Sequence, residues 1–219
     1  GRFEGSFAAG VPFQHNEDTG DMRISGTAAS LAGLEEALRK GDAGLIDLAL
    51  RRLRMLYGVL CSIGGIPLIF LGEEWAVLND HTLADHPEMA ADSRWIHRPK
   101  ADWHLFADEV EKAGTLRHRH YEGLRELFAE RKRQPALQGT ALRLLPCENG
   151  HALAFLREHA SDRLAVLANF SERDQVVDLR GWRAAGLAHY FRDVFTGRSV
   201  STAGIAELAP YELLWLAED

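Results

Sequence analysis

The sequence predicts a mixed fold, an α/β segment followed by an all-β module, and three observations carry that reading. Residues 45–63 place Leu45, Leu48, Ala49, Leu53, Leu56, Leu60 and Ile63 at helical spacing. The run IPLIFLG at 66–72 is short, apolar and without alternation, as a strand buried on both faces of a parallel sheet would be. Beyond Pro135 the pattern changes to short strand-like runs separated by turn residues.

Residues 1–26 lack periodicity and are rich in Gly, Asn and Asp, which predicts an ordered loop. Thr27 is positioned to cap a short helix with Leu31, Leu34 and Leu38 as its apolar stripe, and Gly41 to end it. Asp42 can cap the long helix that follows, which Gly64–Gly65 stops. Pro67 is tolerable at the start of the apolar strand, where a missing donor costs least. A buried helical segment is the other reading of this run, and the two glycines before it disfavour that. Residues 72–100 form a long polar stretch rich in His, Asp and Trp, a length usually kept for function or disorder. Asp102 and Thr115 cap two further helices, the second running to Gln134. The runs ALRLLP, ALAFLRE, RLAVLANF, QVVDL, HYFRDVF and ELLWLAE then read as strands, with turns at 148–150, 159–162 and 196–198. Helix, strand, helix and then an antiparallel module is the order of the last β/α unit of a (β/α) TIM barrel followed by a C-terminal β-sandwich. The expected divisions are 1–30, part of an inserted loop region; 31–135, the end of the barrel; and 136–219, the sandwich.

The chain has 219 residues, 46% hydrophobic and 26% charged, with a net charge of −7. That balance argues against nucleic-acid binding, which needs a basic face. No apolar stretch approaches the roughly 18 residues that span a bilayer, so no membrane partner is expected. The two cysteines, Cys61 and Cys147, lack metal-ligand spacing, and neither a disulfide framework nor a zinc site is expected. A signal peptide pattern is missing, and a reducing, cytoplasmic location is the expectation.

Glu73 and Glu74 invite a reading as a catalytic pair. Two carboxyls that act on one glycosidic bond must converge on it, whereas neighbours leaving a strand point to opposite faces. One is expected to be hydrogen-bonded and the other solvated. In ADSRWIHRP, Arg94 can clamp hydroxyls or a carboxylate through its planar fork, or can simply pair with Asp92 at the surface. His118 and His120 lie two apart on a helix and face different ways; His81 and His86 lack a metalloprotease context. Asn169-Phe170-Ser171 matches a glycosylation sequon at a strand end and is read as noise.

Taken together, these segments resemble glycoside hydrolase family 13. GIPLIFLGEE looks like the eighth barrel strand of that family, G-x-P-x-I-[FY]-x-G-[DE]-E. FAAGVPFQHNEDTGDMRISGTAASLAGLE, LNDHTLADHPEMAADSRWIHRP and LAPYELLWL are similar to the amylosucrase and sucrose hydrolase subgroup. The resemblance implies a retaining enzyme, needing no metal or organic cofactor, that cleaves sucrose and passes the glucosyl unit to a glucan or to water, a choice left open. It implies substrate contacts from Arg23 in DMRISGTAA, from Gln14 in VPFQHN, and from Arg94, which would close the glucosyl pocket with an aspartate upstream. The family's nucleophile, its acid/base glutamate and its H-D pair have no counterpart here, so no catalytic residue is expected within these residues. The chain is then expected to be a C-terminal fragment, inert alone, whose partner is the remaining N-terminal part. The GIPLIFLGEE motif alone fits any member of the family, amylases and trehalose synthases included, so another α-amylase-type enzyme of family 13 is the first alternative. A non-catalytic carbohydrate-binding β-sandwich module is the competing class, disfavoured because a lone barrel strand would leave open edges.

Overall fold

A computed structural model describes residues 6–218, the side chains of Leu83, Ala84 and Ala90 excepted. Two compact units result: one takes the chain up to Leu53 together with Ile69–Glu122, the other Arg54–Leu68 with Gly123–Asp219.

The first unit opens with a hairpin, β1 (Val11–Phe13) and β2 (Arg23–Ser25), paired antiparallel. The expected loop therefore contains a short ladder, which its Gly- and Asn-rich turn concealed; residues 1–5 lie outside the described ones. Thr27 caps α1 (Ala28–Leu31), its Oγ1 accepting from the Ser30 N–H at 3.2 Å. Gly33 at φ 95° then breaks the helix, and α2 (Leu34–Lys40) starts afresh, ended by Gly41 at φ 63°. The single helix expected here is thus two, and Leu38 points outward at 41% exposure. Helix α3 (Ala43–Ser62) begins under Asp42, whose carboxylate accepts from the N–H groups of Gly44 and Leu45 at 2.8 and 3.1 Å. Its buried face runs through Ala49, Leu50, Leu53, Tyr57 and Cys61. The expected stripe was offset from this, since Leu45, Leu56 and Ile63 are exposed.

The largest departure from expectation concerns residues 66–70, which pair in no ladder among the described residues. Ile66 is 88% and Leu68 83% exposed. An apolar run becomes a buried strand only where neighbouring strands take up its N–H and C=O groups, and no described strand lies against it. The polar stretch that follows folds into short turns: 3-10 helices at Glu73–Trp75, His81–Asp85 and Ser93–His97, and α4 (Pro87–Ala90). Helix α5 (Trp103–Glu111) is capped by Asp102, and α6 (Leu116–Arg133) by Thr115, at 3.0 and 3.1 Å.

In the second unit all six expected runs are strands: β3 (Ala141–Leu144), β4 (Ala152–His159), β5 (Asp162–Asn169), β6 (Gln175–Asp178), β7 (Tyr190–Asp193) and β10 (Leu213–Glu218). Helix α7 (Arg180–Ala184) and strands β8 (Ser199–Ser201) and β9 (Ile205–Leu208) join them. The antiparallel order is β3-β4-β5-β10-β7-β8 in one sheet, with β6-β9 as a separate ribbon. Alternation assigns two faces. Ala154, Leu156, Ala165, Leu167, Leu214 and Leu216 share a core with Val177, Ala206 and Leu208 of the ribbon and with Trp182. Phe155, Arg157, Val166 and Trp215 occupy the other face, also buried.

That second face meets the end of α3. Gly58 has no side chain, and a Cβ there would lie 1.9 Å from Leu213 Cδ2. Arg157, fully buried on β4, donates from Nε to the Ala141 carbonyl at 2.9 Å and from its other nitrogens to the carbonyls of Ser62 and Gly139. Arg131 on α6 donates to the carbonyls of Cys61 and Gly65. Two guanidiniums therefore satisfy the C-terminal carbonyls of α3, where the helix dipole also favours positive charge.

Candidate functional site

The hairpin, the start of α1 and the 72–100 stretch come together in the first unit. Pairing of Phe13 with Arg23 sets Gln14, the next residue at φ 49°, beside Arg23. The hydroxyls of Ser25 on β2 and Ser93 lie 3.1 Å apart, which brings the turn carrying Arg94 against the same hairpin. Gln14, Arg23 and Arg94 are thus gathered in one neighbourhood, all three exposed. Arg94 holds Asp92 in a bidentate pair, Nε to Oδ1 at 2.8 Å and Nη2 to Oδ2 at 2.7 Å. That hydrogen bonding draws the Asp92 carboxyl down to about 2. Asp92 also caps the Ser93–His97 turn through the Arg94 N–H at 3.0 Å. The arginine is therefore held by the turn it sits on, with its outer edge facing solvent.

A cavity of about 230 Å³ opens beside this turn, lined by Gly26–Ala29 on one wall, Phe70–Glu73 and Val77 on another, and His97 with Pro99. His97 packs edge-on to Phe70, and burial lowers its basicity, with Arg98 adding to the effect. The cavity offers one imidazole and one carboxylate, that of Glu73, among apolar and backbone groups. Glu73 is not free for chemistry: its Oε2 accepts from the Phe70 N–H at 3.1 Å, and Glu74 Oε2 from the Gly72 N–H at 2.8 Å. Both glutamates close their own turn, where one had been expected to be merely solvated. Among the described residues no group of three or more His, Cys, Asp or Glu could hold a metal ion.

Behind the cavity, His120 is buried and its Nε2 lies 2.8 Å from the Glu73 carbonyl. A carbonyl only accepts, so Nε2 carries the proton. Burial lowers the His120 pKa, partly opposed by that hydrogen bond. A lowered histidine contributes stability that is present above its unfolded value of about 6.5 and lost as pH falls through the folded value. Melting temperature followed from pH 7.5 to 5 should therefore decline in the native chain and decline less in His120→Gln, which keeps a donor without gaining charge. Equal slopes would assign the decline elsewhere, His97 being the other lowered histidine.

Sequence reasoning passed over Asn79, which lies in the polar stretch without any motif. It missed Asn169 as a structural residue too. The Asn169 side chain is fully buried; its Nδ2 donates to the carbonyls of Arg173 and Ala209 at 2.7 and 2.9 Å, and its Oδ1 accepts from the Ser171 N–H at 2.9 Å. The sequon is a buried network.

Residues 142–215 match the family described as maltogenic amylase, C-terminal domain. The trehalose synthase of Thermus thermophilus is 30% identical over 148 residues, 59% of this chain and 15% of that protein. Among solved structures, an AmyP variant in complex with maltotriose superposes with a TM-score of 0.63 at 16% identity, covering 77% of this chain and 35% of that one. AmyP in complex with maltose gives 0.59 at the same identity, over 77% and 34%. The chain thus spans about a third or less of the length of the proteins it matches. Mixed helices and antiparallel sheets in this arrangement, with the domain match, make the chain similar to α-amylase-type enzymes of glycoside hydrolase family 13.

Proposed function

We propose that these residues form the C-terminal part of a retaining, α-glucoside-active enzyme whose substrate is sucrose. In that reading an aspartate outside the 219 residues attacks the glucosyl anomeric carbon, and the protonated fructosyl oxygen leaves. Water or a glucan hydroxyl then displaces the enzyme carboxylate. The (β/α) barrel unit belongs to the same reading, with residues 66–70 as its closing strand and the β strands of 136–219 as its sandwich. The observation that supports the proposal is that the hairpin bearing Gln14 and Arg23 packs against the turn bearing Arg94, a turn whose His97 lines the cavity. Arg94 orients the glucosyl group by a planar two-point contact and takes no part in bond making.

The test uses the full-length protein. Arg94→Ala should lower kcat/KM for sucrose by roughly 100-fold, the scale expected when a positioning contact is lost. Arg94→Lys should recover little, because an ammonium cannot reproduce the fork. Near-normal turnover in Arg94→Ala would refute the pocket role. The trehalose synthase likeness favours trehalose, and the likeness to AmyP in complex with maltose favours maltose, as the competing substrates, and wild-type turnover of those sugars without sucrose would replace the sucrose assignment.

A further inference from the structure

The cavity walls come from distant segments, and one side chain ties them together. Asn79 Oδ1 accepts from the Thr27 N–H at 2.8 Å, while its Nδ2 donates to the Ala9 carbonyl at 3.0 Å. Its own N–H donates to Ser30 Oγ at 2.9 Å, and Ser30 Oγ in turn accepts from Thr27 Oγ1 at 3.0 Å. The next residue, Asp80, donates from its N–H to the Ile96 carbonyl at 2.9 Å, inside the turn that bears Arg94. Partner types fix the amide orientation: a backbone N–H needs an oxygen, and a carbonyl needs an NH₂. One residue therefore joins the chain entering β1, the cap of α1 and the loop leading to Arg94.

We propose that Asn79 is the positioning residue of the saccharide site, holding the Gly26–Ala29 wall and the Arg94 turn at the spacing a bound sugar requires. It is not itself one of the lining residues; it acts through the backbone of Thr27 in the cavity wall on one side and through Asp80 on the other. Such a residue sets binding geometry without supplying a reacting group, so its loss falls on KM. The inference rests on the saccharide reading above.

The experiment measures steady-state turnover of sucrose, maltose and trehalose by the full-length protein, wild type against Asn79→Leu and Asn79→Asp, with circular dichroism on each. Leucine fills the same space with no polar atom. Aspartate keeps the acceptor for Thr27 but faces the Ala9 carbonyl without a donor. Expected is a KM raised at least tenfold in Asn79→Leu, an intermediate rise in Asn79→Asp, and kcat within threefold of wild type in both. An unchanged KM with retained helix content overturns the assignment. So does a fall in kcat at constant KM that tracks the folded fraction, which would make Asn79 merely structural. Wild-type protein inert on all three sugars removes the functional reading itself, a result distinct from either.

Discussion

Replacing Arg157 with methionine should cost about 3–5 kcal/mol of stability, read as a fall of roughly 10 °C or more in the unfolding midpoint of the β-rich unit. The guanidinium is fully buried and is met by three backbone carbonyls, those of Ala141, Gly139 and Ser62. Methionine fills much of the volume but donates nothing, so these oxygens lose their donors in a site closed to water. An unsatisfied buried group costs about 1–3 kcal/mol, and three sharing one donor do not add fully. Burial works against the charge itself, with Arg131 nearby adding to the effect, and lowers the Arg157 pKa. Helix-end carbonyls offset that burden. Arg131→Met makes the internal comparison, because this side chain bonds the Cys61 and Gly65 carbonyls from a less enclosed position. Its loss should be clearly smaller. Arg157→Met within 1 kcal/mol of wild type would show that water reaches the site.

Trp182→Ala should cost a similar amount, about 3–5 kcal/mol, by a different route. Its ring is fully buried in the core between sheet and ribbon, edge-on to Phe191 at 6.1 Å. Truncation removes the largest side chain of that core and opens a cavity that neighbouring strands, held in their ladders, fill only partly. The indole Nε1 also donates to the Pro146 carbonyl at 2.9 Å. Trp182→Phe separates the contributions, since it keeps most of the apolar volume and loses the donor. About 1–2 kcal/mol is expected for it. Urea titration of the three proteins checks the order, and an alanine variant no weaker than the phenylalanine one would discount the cavity argument.

The β strands were legible because each carries its own signal: apolar alternation or a doubly buried run, bounded by turn residues such as Asn149-Gly150 and Thr196-Gly197. Local caps were equally readable at Thr27, Asp42, Asp102 and Thr115, because capping depends on one side chain and the N–H groups two or three residues on. Strands β8 and β9 and helix α7 escaped. Ser199–Ser201 has one apolar residue, and Arg180–Ala184 is a single turn fixed by the burial of Trp182. The IPLIFLG run shows the limit from the other side. Its composition is that of a buried strand, but pairing is supplied by neighbours, and composition cannot provide them.

For the candidate site, Arg94, Arg23 and Gln14 were singled out through the family resemblance of their segments, while Asn79 carries no such signal. Its importance lies in meeting Ala9, Thr27 and Ser30, partners 70, 52 and 49 residues away. The Asp92 pairing of Arg94 was foreseen as the alternative to a ligand contact. In the structure the same aspartate both caps the turn and holds the guanidinium, so pairing and presentation need not compete.

Gly58 shows how strictly the β-rich unit sets one separation. The missing methyl at that position is where Leu213 of the sheet nestles against α3. Any larger residue must either push the helix outward or turn Leu213 aside. Ser62, one turn further on, would travel with the helix, and its carbonyl would withdraw from Arg157. Gly58 thus acts as a spacer gauge. It keeps the last turn of α3 within reach of a buried cation.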